Sequence, residues 1–267
     1  MNFYFNIIIH EIDELIQKNP EFLNHFKRYI DNFATAEQKK FFSTDYEKFI
    51  ELGGVVTHHF PIYKDLNEQA GESSGHYFHQ DLLVASFINL RNPKRLLDIG
   101  SRIDGFVAHV ASFREIEVLD VRDLNSTGHS NIKFLKANLM DNFIIEENIT
   151  DSISCLHAIE HFGLGRYGDP IDPLGHIKGF YNLIRMLKPG GIMYISFPIS
   201  INNQIHFNAH RTFHPLDIFK WVANDKLITL TRFDFVDDYG NLHLNSLSEL
   251  NDLKLNYGCG IYTFVKN

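Results

Sequence analysis

Two kinds of hydrophobic pattern follow each other along the chain, one with helical spacing and one made of short apolar runs. Up to about residue 50, apolar and charged residues alternate at helical spacing, as at Ile12, Leu15 and Ile16, which predicts two or three amphipathic helices. A glycine-rich irregular part follows, and residues 76–90 are predicted to form a further helix. The first part of the chain is therefore predicted to be helical.

From residue 95 onward, apolar runs of strand length alternate with helical patterns. Such alternation is typical of a doubly wound parallel α/β sheet. No full helix separates the last two strands, which allows a hairpin with an antiparallel last strand. We expect a helical extension or lid over residues 1–74 and an α/β domain over residues 75–267. The predicted strands span residues 95–99, 117–121, 132–136, 152–156, 192–197, 227–235 and 261–265, and the predicted helices span residues 103–113, 174–186 and 216–223.

Composition narrows the class of protein. The 267 residues are 44% hydrophobic and carry a net charge of −8, so one sizeable core is expected and general attraction to nucleic acid or anionic membrane is not. No apolar run approaches the roughly 20 residues of a membrane helix. Cys155 and Cys259 lack metal-ligand spacing and fit a reduced compartment. We expect a cytoplasmic protein without nucleic-acid or membrane partners.

A glycine turn after the first predicted strand points to a nucleoside cofactor. Residues 96–105 read Leu-Leu-Asp-Ile-Gly-Ser-Arg-Ile-Asp-Gly, and a second strand ends at Asp120. A dinucleotide site uses G-x-G-x-x-G so that bare backbone can approach an anionic pyrophosphate. Here Asp98 closes the strand, and Arg102 and Asp104 stand where further glycines would be. The acids suit a cationic ligand, so the sequence favours S-adenosylmethionine over NAD.

Each part of this turn has a predicted task. Gly100 and Gly105 would allow close approach that a Cβ would block. Asp98 would bind the methionine ammonium directly or through water, Asp120 the ribose hydroxyls and Asn138 the adenine edge. Arg122 is either a contact at the cofactor rim or a solvated charge. The other predicted cofactor-binding residues are Ser101, Arg102, Asp104, Leu139 and His157.

Histidines follow the fourth and fifth predicted strands, where a reacting acceptor would lie. His161 ends the run His-Ala-Ile-Glu-His, and His210 and His214 belong to a second cluster. A histidine near neutral pKa suits a general base that removes a proton from an acceptor hydroxyl, so these three are the predicted catalytic residues. Two alternatives stay open: a divalent metal held by Glu160, His161 and His210, which is not favoured, and histidines that only line the pocket.

A glycine-rich loop over residues 163–170 lies beside this predicted pocket. It lacks the Gly-Lys-Ser/Thr ending of a phosphate-binding loop, so nucleotide hydrolysis is not expected. Arg166 and Arg211 could each meet a phosphate or carboxylate, and the loop could equally be a plain connection. The predicted substrate-binding residues are Glu160, Arg166, Tyr167, Arg211, Tyr77 and His79.

The chain resembles class I S-adenosylmethionine-dependent methyltransferases from about residue 95 to its last residue. Residues 75–81 (Gly-His-Tyr-Phe-His-Gln-Asp) and 98–109, which begin Asp-Ile-Gly-Ser-Arg, are similar to a small subfamily known as a domain of unknown function. The resemblance implies a seven-stranded sheet with the last strand antiparallel. It departs from the commoner superfamily pattern at Arg102 and Asp104, where glycine is usual.

The predicted function is methyl transfer to an oxygen of a small polar or anionic acceptor. A polar rim bearing histidine and arginine fits a sugar, a sugar nucleotide or a phosphate-type group, and the resemblance suggests bacterial surface-polysaccharide or capsule biosynthesis. The alternatives are an inactive relative acting as a scaffold or partner subunit, and a nicotinamide-dependent oxidoreductase. The N-terminal helices could be a lid, a homodimer contact or plain core.

Overall fold

A computed structural model of the chain describes residues 34–59, 61–63, 65–141, 146–222 and 225–267. The chain divides into two units, Met1–Glu72 and Ser73–Asn267. The helices predicted before residue 34 lie outside the described residues, and the role of the first unit as an extension or lid stays a prediction. No helix in the described ranges has the length and apolar character needed to cross a membrane.

The described part of the first unit contains the helix α1 (Ala36–Glu51) and a 3-10 turn at Asp65–Asn67. A capping box starts α1. Thr35 Oγ1 accepts a hydrogen bond from the Gln38 amide at 3.2 Å, and Gln38 Oε1 accepts one from the Thr35 amide at 2.9 Å. This reciprocal pair satisfies two donors that the first helical turn leaves without partners.

The second unit holds the predicted α/β architecture. Its helices are α2 (His76–Arg91), α3 (Ala108–Ala111) and α4 (Gly175–Met186). Its strands are β1 (Leu96–Ile99), β2 (Ile116–Asp120), β3 (Ile132–Lys136), β4 (Thr150–Leu156), β5 (Leu187–Ile199), β6 (Gln204–His206), β7 (His210–Thr212), β8 (Ile228–Val236), β9 (Leu242–His243) and β10 (Gly258–Lys266).

Eight strands form one sheet in the order β3-β2-β1-β4-β5-β10-β8-β9. The strands β1 to β5 pair in parallel, whereas β10 pairs antiparallel with both β5 and β8. The predicted doubly wound sheet with an antiparallel last strand is confirmed, and the two-residue β9 adds an eighth strand. The histidine-rich segment predicted as a loop contains a separate ribbon, in which β6 pairs with β7.

Apolar clusters cover both faces of the sheet. One includes α4 and the rings of Phe180, Phe197 and Tyr262, and the other includes Val84 on α2 and Val110 on α3. Because both faces are covered, the central strands are buried along their length, and this burial includes polar residues such as Asp98 on β1 and Ser154 on β4. The clusters hold the sheet rigid, so the turns after its strands have fixed positions.

Three predicted elements differ from the structure. The helix predicted over 103–113 begins as a π turn, Ile103–Val107, because the Gly105 backbone is not helical (φ −119°, ψ −110°), and only Ala108–Ala111 is α-helical. The helix predicted over 216–223 is a 3-10 turn at Asp217–Lys220. The fifth strand starts at Leu187 rather than 192, with a register shift against β4 that accommodates the glycines before residue 192.

Candidate active site

A cleft of about 540 Å³ lies at the carboxyl ends of β1, β2, β3 and β4. This is the edge of a parallel α/β sheet at which ligands bind, and the cleft is open to solvent. The lining residues are Ile99, Gly100, Leu119, Asp120, Val121, Arg122, Ala137, Asn138, Leu139, Met140, His157, Ala158, His161, Phe162, Tyr167 and Asp169. The structure thus brings seven predicted site residues from four strand ends, with Tyr167 from the loop, into one cavity.

Bare backbone forms one wall of the cleft at Gly100. Its φ of +69° lies in the left-handed region, and its amide donates to the Leu119 carbonyl at 2.9 Å. A Cβ built at this position would lie 2.9 Å from the Cβ of Ala158. Glycine is therefore required both for the turn and for the close approach of the segment that follows β4.

Asp98 is enclosed behind this wall. Its carboxylate is fully buried and accepts hydrogen bonds from the Ser101 amide (3.1 Å), Ser101 Oγ (2.7 Å) and Ser154 Oγ (2.7 Å). Burial raises the pKa of Asp98 to about 7, although the hydrogen bonds from Ser101 and Ser154 act to lower it. Ser101 also accepts from the Leu156 amide at 3.2 Å. Asp98 was predicted to contact the methionine ammonium, but its side chain is not among the groups that line the cleft. It instead connects the glycine turn to β4 through hydrogen bonds.

Asp120 stands at the rim of the cleft. Arg122 binds it through three hydrogen bonds, from its amide (2.9 Å) and Nε (2.9 Å) to Oδ1 and from Nη2 to Oδ2 (2.6 Å). The Arg122 guanidinium also lies 4.4 Å from the ring centre of Tyr167. A carboxylate offers about four lone-pair sites, so Oδ2 keeps one acceptor site for a ribose hydroxyl, and movement of Arg122 would free more.

The residues after β3 form the facing wall. Asn138 Oδ1 accepts a hydrogen bond from the Met140 amide at 3.0 Å, which closes a turn. Leu139 is 3% exposed and its carbonyl accepts from Asn182 Nδ2 at 2.8 Å, which anchors the turn to α4. The Asn138 amide and an apolar floor therefore line the region predicted for adenine.

Arg102, Asp104 and Gly105 are not among the residues that line this cleft. Arg102 pairs with Asp104 at 2.7 Å and 3.0 Å, and both exposed side chains line a second depression, which shares Asp120 and Arg122 with the cleft. A Cβ at Gly105 would lie 2.7 Å from Oδ2 of Asp81, whose pKa burial raises to about 6. Gly105 thus makes room for a buried carboxylic acid rather than for a ligand.

His157 follows β4 in a left-handed conformation (φ +49°). Its Nδ1–H donates to Glu160 Oε1 at 2.8 Å, and its Nε2 is buried without a hydrogen-bond partner. Burial acts against the imidazolium form, but the interactions of the ring with Cys259 and Glu160 outweigh it and raise the pKa of His157 well above its ordinary value. Burial alone would raise the pKa of Glu160, and the charge of His157 holds it below the ordinary value.

His161 is the predicted catalytic residue that lines the cleft. Its Nδ1–H donates to the Ala209 carbonyl at 2.6 Å, so the neutral ring carries its lone pair on Nε2. Nε2 lies 3.8 Å from Glu160 Oε1. Burial lowers the pKa of His161 below its ordinary value although Glu160 opposes this. A buried, neutral imidazole with a fixed tautomer is suited to accept a proton.

The other two predicted catalytic histidines take different positions. The ring of His210 lies 6.5 Å from that of His161, and its Nε2 is 3.4 Å from the Tyr257 hydroxyl. His214 instead caps a turn, because its Nδ1 accepts from the Leu216 amide at 3.3 Å. The structure brings His161 and His210 together and leaves His214 outside the cleft lining.

The predicted substrate-binding arginines also separate. Arg166 donates a hydrogen bond to the Ala209 carbonyl at 3.1 Å, and the same oxygen accepts the hydrogen bond from His161 Nδ1–H. Arg211 is 2% exposed, and its guanidinium donates to the carbonyls of Glu160 (3.2 Å), Phe162 (2.7 Å) and Pro173 (3.4 Å). Arg211 therefore holds the segment after β4 through these hydrogen bonds, and it is not among the residues that line the cleft.

The remaining predicted contacts divide in the same way. Tyr167 lines the cleft on a loop folded around Asp169, whose carboxylate accepts from the amides of Gly163 (2.8 Å) and Tyr167 (3.2 Å). Tyr77 packs its ring 5.0 Å from His157. His79 packs on Phe78 and is not among the cleft residues.

Sequence reasoning missed a cluster behind His157. Ligand atoms of His76, His157 and Cys259 lie within 4.8 Å of one another, and among the described residues this is the group of three metal-ligand side chains that converges. The predicted alternative set of Glu160, His161 and His210 does not converge in this way. The three residues come from α2, the turn after β4 and β10, so sequence spacing carries no signal for them; only the fold brings them together.

Solved structures share this architecture. The 1,6-didemethyltoxoflavin-N1-methyltransferase of Burkholderia thailandensis, crystallised with S-adenosylhomocysteine, matches with a TM-score of 0.51 and 13% identity, over 88% of this chain and 91% of that one. A candidate sarcosine dimethylglycine methyltransferase from Galdieria sulphuraria gives 0.52 and 17%, over 84% and 98%. The [4+2]-cyclase SpnF gives 0.53 and 14%, over 87% and 97%. The fold is that of the class I S-adenosylmethionine-dependent methyltransferases.

Within that fold, sequence similarity defines a narrower group. The chain belongs to the family described as Caenorhabditis protein of unknown function, DUF268, whose sequence model matches residues 114–250. The sequence matches no curated protein. The family description assigns neither a reaction nor a substrate, so both are inferred from the cleft.

Proposed function

We propose that the protein is an S-adenosylmethionine-dependent methyltransferase acting on an oxygen of a small polar acceptor. The observation that carries the proposal is the cleft itself. It joins the bare Gly100 turn, the Asp120 carboxylate, the Asn138 amide and the His161 imidazole at the carboxyl edge of the sheet. These groups come from four different strand ends, in the positions that a nucleoside cofactor and a reacting acceptor need.

The residues of the cleft fit the adenosyl part of the cofactor. Gly100 presents its backbone at the wall of the cleft, and Asp120 at the rim offers carboxylate oxygens to the ribose hydroxyls. The wall at Asn138 and Leu139 combines an amide with apolar surface, as a purine ring requires. S-adenosylmethionine would supply an activated methyl group on a sulfonium. Asp98 would act indirectly by fixing the turn rather than by touching the ligand.

His161 is the proposed general base. Its Nε2 lone pair faces no donor among the described residues, while Nδ1 is held by Ala209. Nε2 would take the proton of the acceptor hydroxyl as that oxygen forms its bond to the methyl carbon and the carbon–sulfur bond breaks with its electrons on sulfur. His161 holds its orientation through Ala209, so positioning contributes alongside proton transfer.

The acceptor is the finer part of the proposal. Tyr167 and His161 give the cleft polar groups, and the nearby Arg166 could attract an anionic acceptor. These features support a sugar, a sugar nucleotide or a phosphate-type group over a large apolar ring. A role in surface-polysaccharide or capsule biosynthesis is supported by the family resemblance seen in the sequence and by nothing in the cleft.

The fold permits other chemistry, since the cyclase SpnF shares it. The observation that favours methyl transfer over a nicotinamide-dependent reaction is the exposed Arg102–Asp104 pair, which occupies the turn where a dinucleotide site would present bare backbone to pyrophosphate. An inactive scaffold would have no need of a base with a fixed tautomer such as His161.

Calorimetric titration with S-adenosylhomocysteine tests the proposal. We expect micromolar binding by the parent and a loss of about tenfold to a hundredfold or more in Asp120→Ala, because two charge-assisted hydrogen bonds disappear. Asp123→Ala is the matched control, since Asp123 is exposed and pairs with Lys136 outside the cleft. Absence of binding by the parent would refute the proposal. Binding would justify an acceptor screen with sugar nucleotides, read as release of S-adenosylhomocysteine.

A further inference from the structure

Three ligand-type side chains converge behind the turn that follows β4. His76 comes from the first turn of α2, His157 from the residue after β4, and Cys259 from β10. One ring nitrogen of each histidine and the Cys259 sulfur lie within 4.8 Å of one another. The rings of His76 and His157 stack with their centres 5.2 Å apart, and Tyr257 closes the outer side of His76 at 5.4 Å. We name these three residues the His–His–Cys cluster.

One nitrogen of the cluster has no partner although it is buried. The His157 side chain is 5% exposed, and Nε2 makes no hydrogen bond. Its other nitrogen, Nδ1, is fixed by Glu160 Oε1 at 2.8 Å. A buried polar atom without a partner costs about 1–3 kcal/mol. A carboxylate that accepts from one imidazole nitrogen, as Glu160 does here, is the arrangement by which proteins orient metal-binding histidines.

The charges around the cluster suit a divalent cation. Glu160 is 1% exposed and Cys259 is fully buried. A zinc ion bound here would displace the proton of the Cys259 thiol, and the resulting thiolate together with the Glu160 carboxylate would offset the charge of the ion. A thiolate with two imidazoles selects zinc over magnesium or calcium, which prefer oxygen ligands.

We propose that the His–His–Cys cluster is a zinc site in which His76, His157 and Cys259 are ligands and Glu160 orients His157. Zinc binds such ligands at roughly 2.0–2.3 Å, so the cluster must contract by roughly 1 Å around the ion. His76 can supply that movement, since it is only half-buried and follows Gly75 at the start of α2. Three protein ligands leave the fourth tetrahedral position open to water.

This site differs from the metal set considered in the sequence, because Glu160 is an orienting residue here and His161 and His210 are not ligands. It also does not depend on methyl transfer. Loss of S-adenosylhomocysteine binding would not affect it, and loss of zinc binding would leave the cofactor proposal unchanged.

Zinc and cobalt titrations of the full chain test the site. Protein stripped with chelator and kept reduced is titrated calorimetrically with Zn²⁺, and in parallel with Co²⁺ while its absorption is recorded. We expect one ion per chain and a thiolate-to-cobalt charge-transfer band with the ligand-field spectrum of a tetrahedral ion. A parent protein that binds no stoichiometric ion, or binds one without the thiolate band, overturns the proposal.

Variants with matched controls assign the ligands. Cys259→Ser should abolish the thiolate band, whereas Cys155→Ser, which changes the other buried cysteine on β4, should keep it. His76→Gln should weaken Zn²⁺ binding more than Glu160→Gln, for which a loss of about 10- to 100-fold is expected. His79→Gln, one turn further along α2, should bind as the parent does. If Cys259→Ser fails to fold, His76→Gln against His79→Gln decides, and equal affinity in those two overturns the assignment.

Discussion

The turns after β1 and β4 meet at the same cleft but treat their polar groups in opposite ways. In the first, Asp98 receives three hydrogen bonds from Ser101 and Ser154, and its carboxylate is closed off from the cleft. In the second, His157 and Glu160 bond to each other through one atom each, and His157 Nε2 and Glu160 Oε2 stay buried without partners. The buried carboxylate of the first turn thus has its hydrogen-bond partners within the protein, whereas two buried polar atoms of the second turn have none.

The two turns differ in how many buried polar atoms lack hydrogen-bond partners, and this difference indicates different roles. Buried polar atoms without partners are few in folded proteins and cost about 1–3 kcal/mol each. In the described part of the chain, three of the six such side-chain atoms lie at or against the second turn (His157 Nε2, Glu160 Oε2 and Arg211 Nε), and none lies in the first. We infer that the first turn fixes the shape of the cofactor pocket and that the second carries ligand binding and reaction.

The largest expected effect is at the second turn. His161→Ala should lower kcat by about 10²- to 10⁴-fold, because the acceptor proton loses its base, while S-adenosylhomocysteine affinity stays close to that of the parent. In the parent, kcat should fall as pH drops through the lowered pKa of His161, which lies below 6.5, since the protonated ring cannot accept a proton. Steady-state kinetics with the acceptor found by screening measure both effects.

His214→Ala is the control for that experiment, since His214 caps a turn and does not line the cleft. Its kcat and pH profile should match those of the parent. If His161→Ala kept the parent kcat, the second turn would not carry the reaction and the comparison of the two turns would break.

At the first turn, the expected effect is on stability and its pH dependence. Asp98 has a folded-state pKa of about 7 against an ordinary 3.8, so the folded protein holds a proton that the unfolded chain releases, and its stabilising contribution is lost as pH rises from about 4 to 7. Relative to Asp98→Asn, the parent should lose up to about 4 kcal/mol of unfolding free energy across that window. Urea denaturation at several pH values measures this difference.

The same variant tests the sequence prediction for Asp98. With the carboxylate enclosed, Asp98→Asn should bind S-adenosylhomocysteine with nearly the parent affinity at a pH where both proteins are folded. A large loss of affinity without a loss of stability would mean that Asp98 contacts the methionine ammonium, and the first turn would then belong to the reacting part of the site.

Arg211 gives a smaller effect of the same kind beneath the second turn. Arg211→Ala removes the donor that three backbone carbonyls share, so we expect a loss of about 2–3 kcal/mol in unfolding free energy. The unfolding free energy of Arg211→Lys should lie between those of the parent and Arg211→Ala, because an ammonium cannot span all three carbonyls. If Arg211→Ala instead raised KM for an anionic acceptor and left stability unchanged, Arg211 would contact the substrate, as the sequence predicts.

The sequence predicted the sheet well because burial on both faces leaves a plain signal. The strands β1 and β2 are short and rich in apolar residues although each contains an acid, and α2 and α4 were predicted within one residue of their bounds. Prediction failed where packing overrides local pattern. The helix predicted over 103–113 is interrupted at Gly105, where a Cβ would lie 2.7 Å from Oδ2 of the buried Asp81. A contact between such distant segments has no local sequence signal.

The same reasoning explains the site. The rule that parallel strands end at one edge was enough to predict that Asp120, Asn138 and His161 would face each other. It could not predict that Asp98 is enclosed, since its partner Ser154 stands opposite it in register on β4. Nor could it find the His–His–Cys cluster, whose members come from a helix, a turn and the last strand. The residues at a strand end can be read from the local sequence, whereas the burial of Asp98 and the convergence of the cluster depend on segments that are distant in sequence.

The smallest expected effect concerns Arg122, for which the sequence left two roles open. Arg122 covers Asp120 with three hydrogen bonds and stacks on Tyr167, yet its side chain is 49% exposed. An exposed ion pair contributes about 0.2–1 kcal/mol, so removing it should leave Asp120 freer to accept the ribose hydroxyls. We expect Arg122→Ala to bind S-adenosylhomocysteine up to about fivefold more tightly by calorimetry. Binding tenfold weaker would show instead that the guanidinium contacts the cofactor, and the segment after β2 would share in ligand binding with the turn after β4.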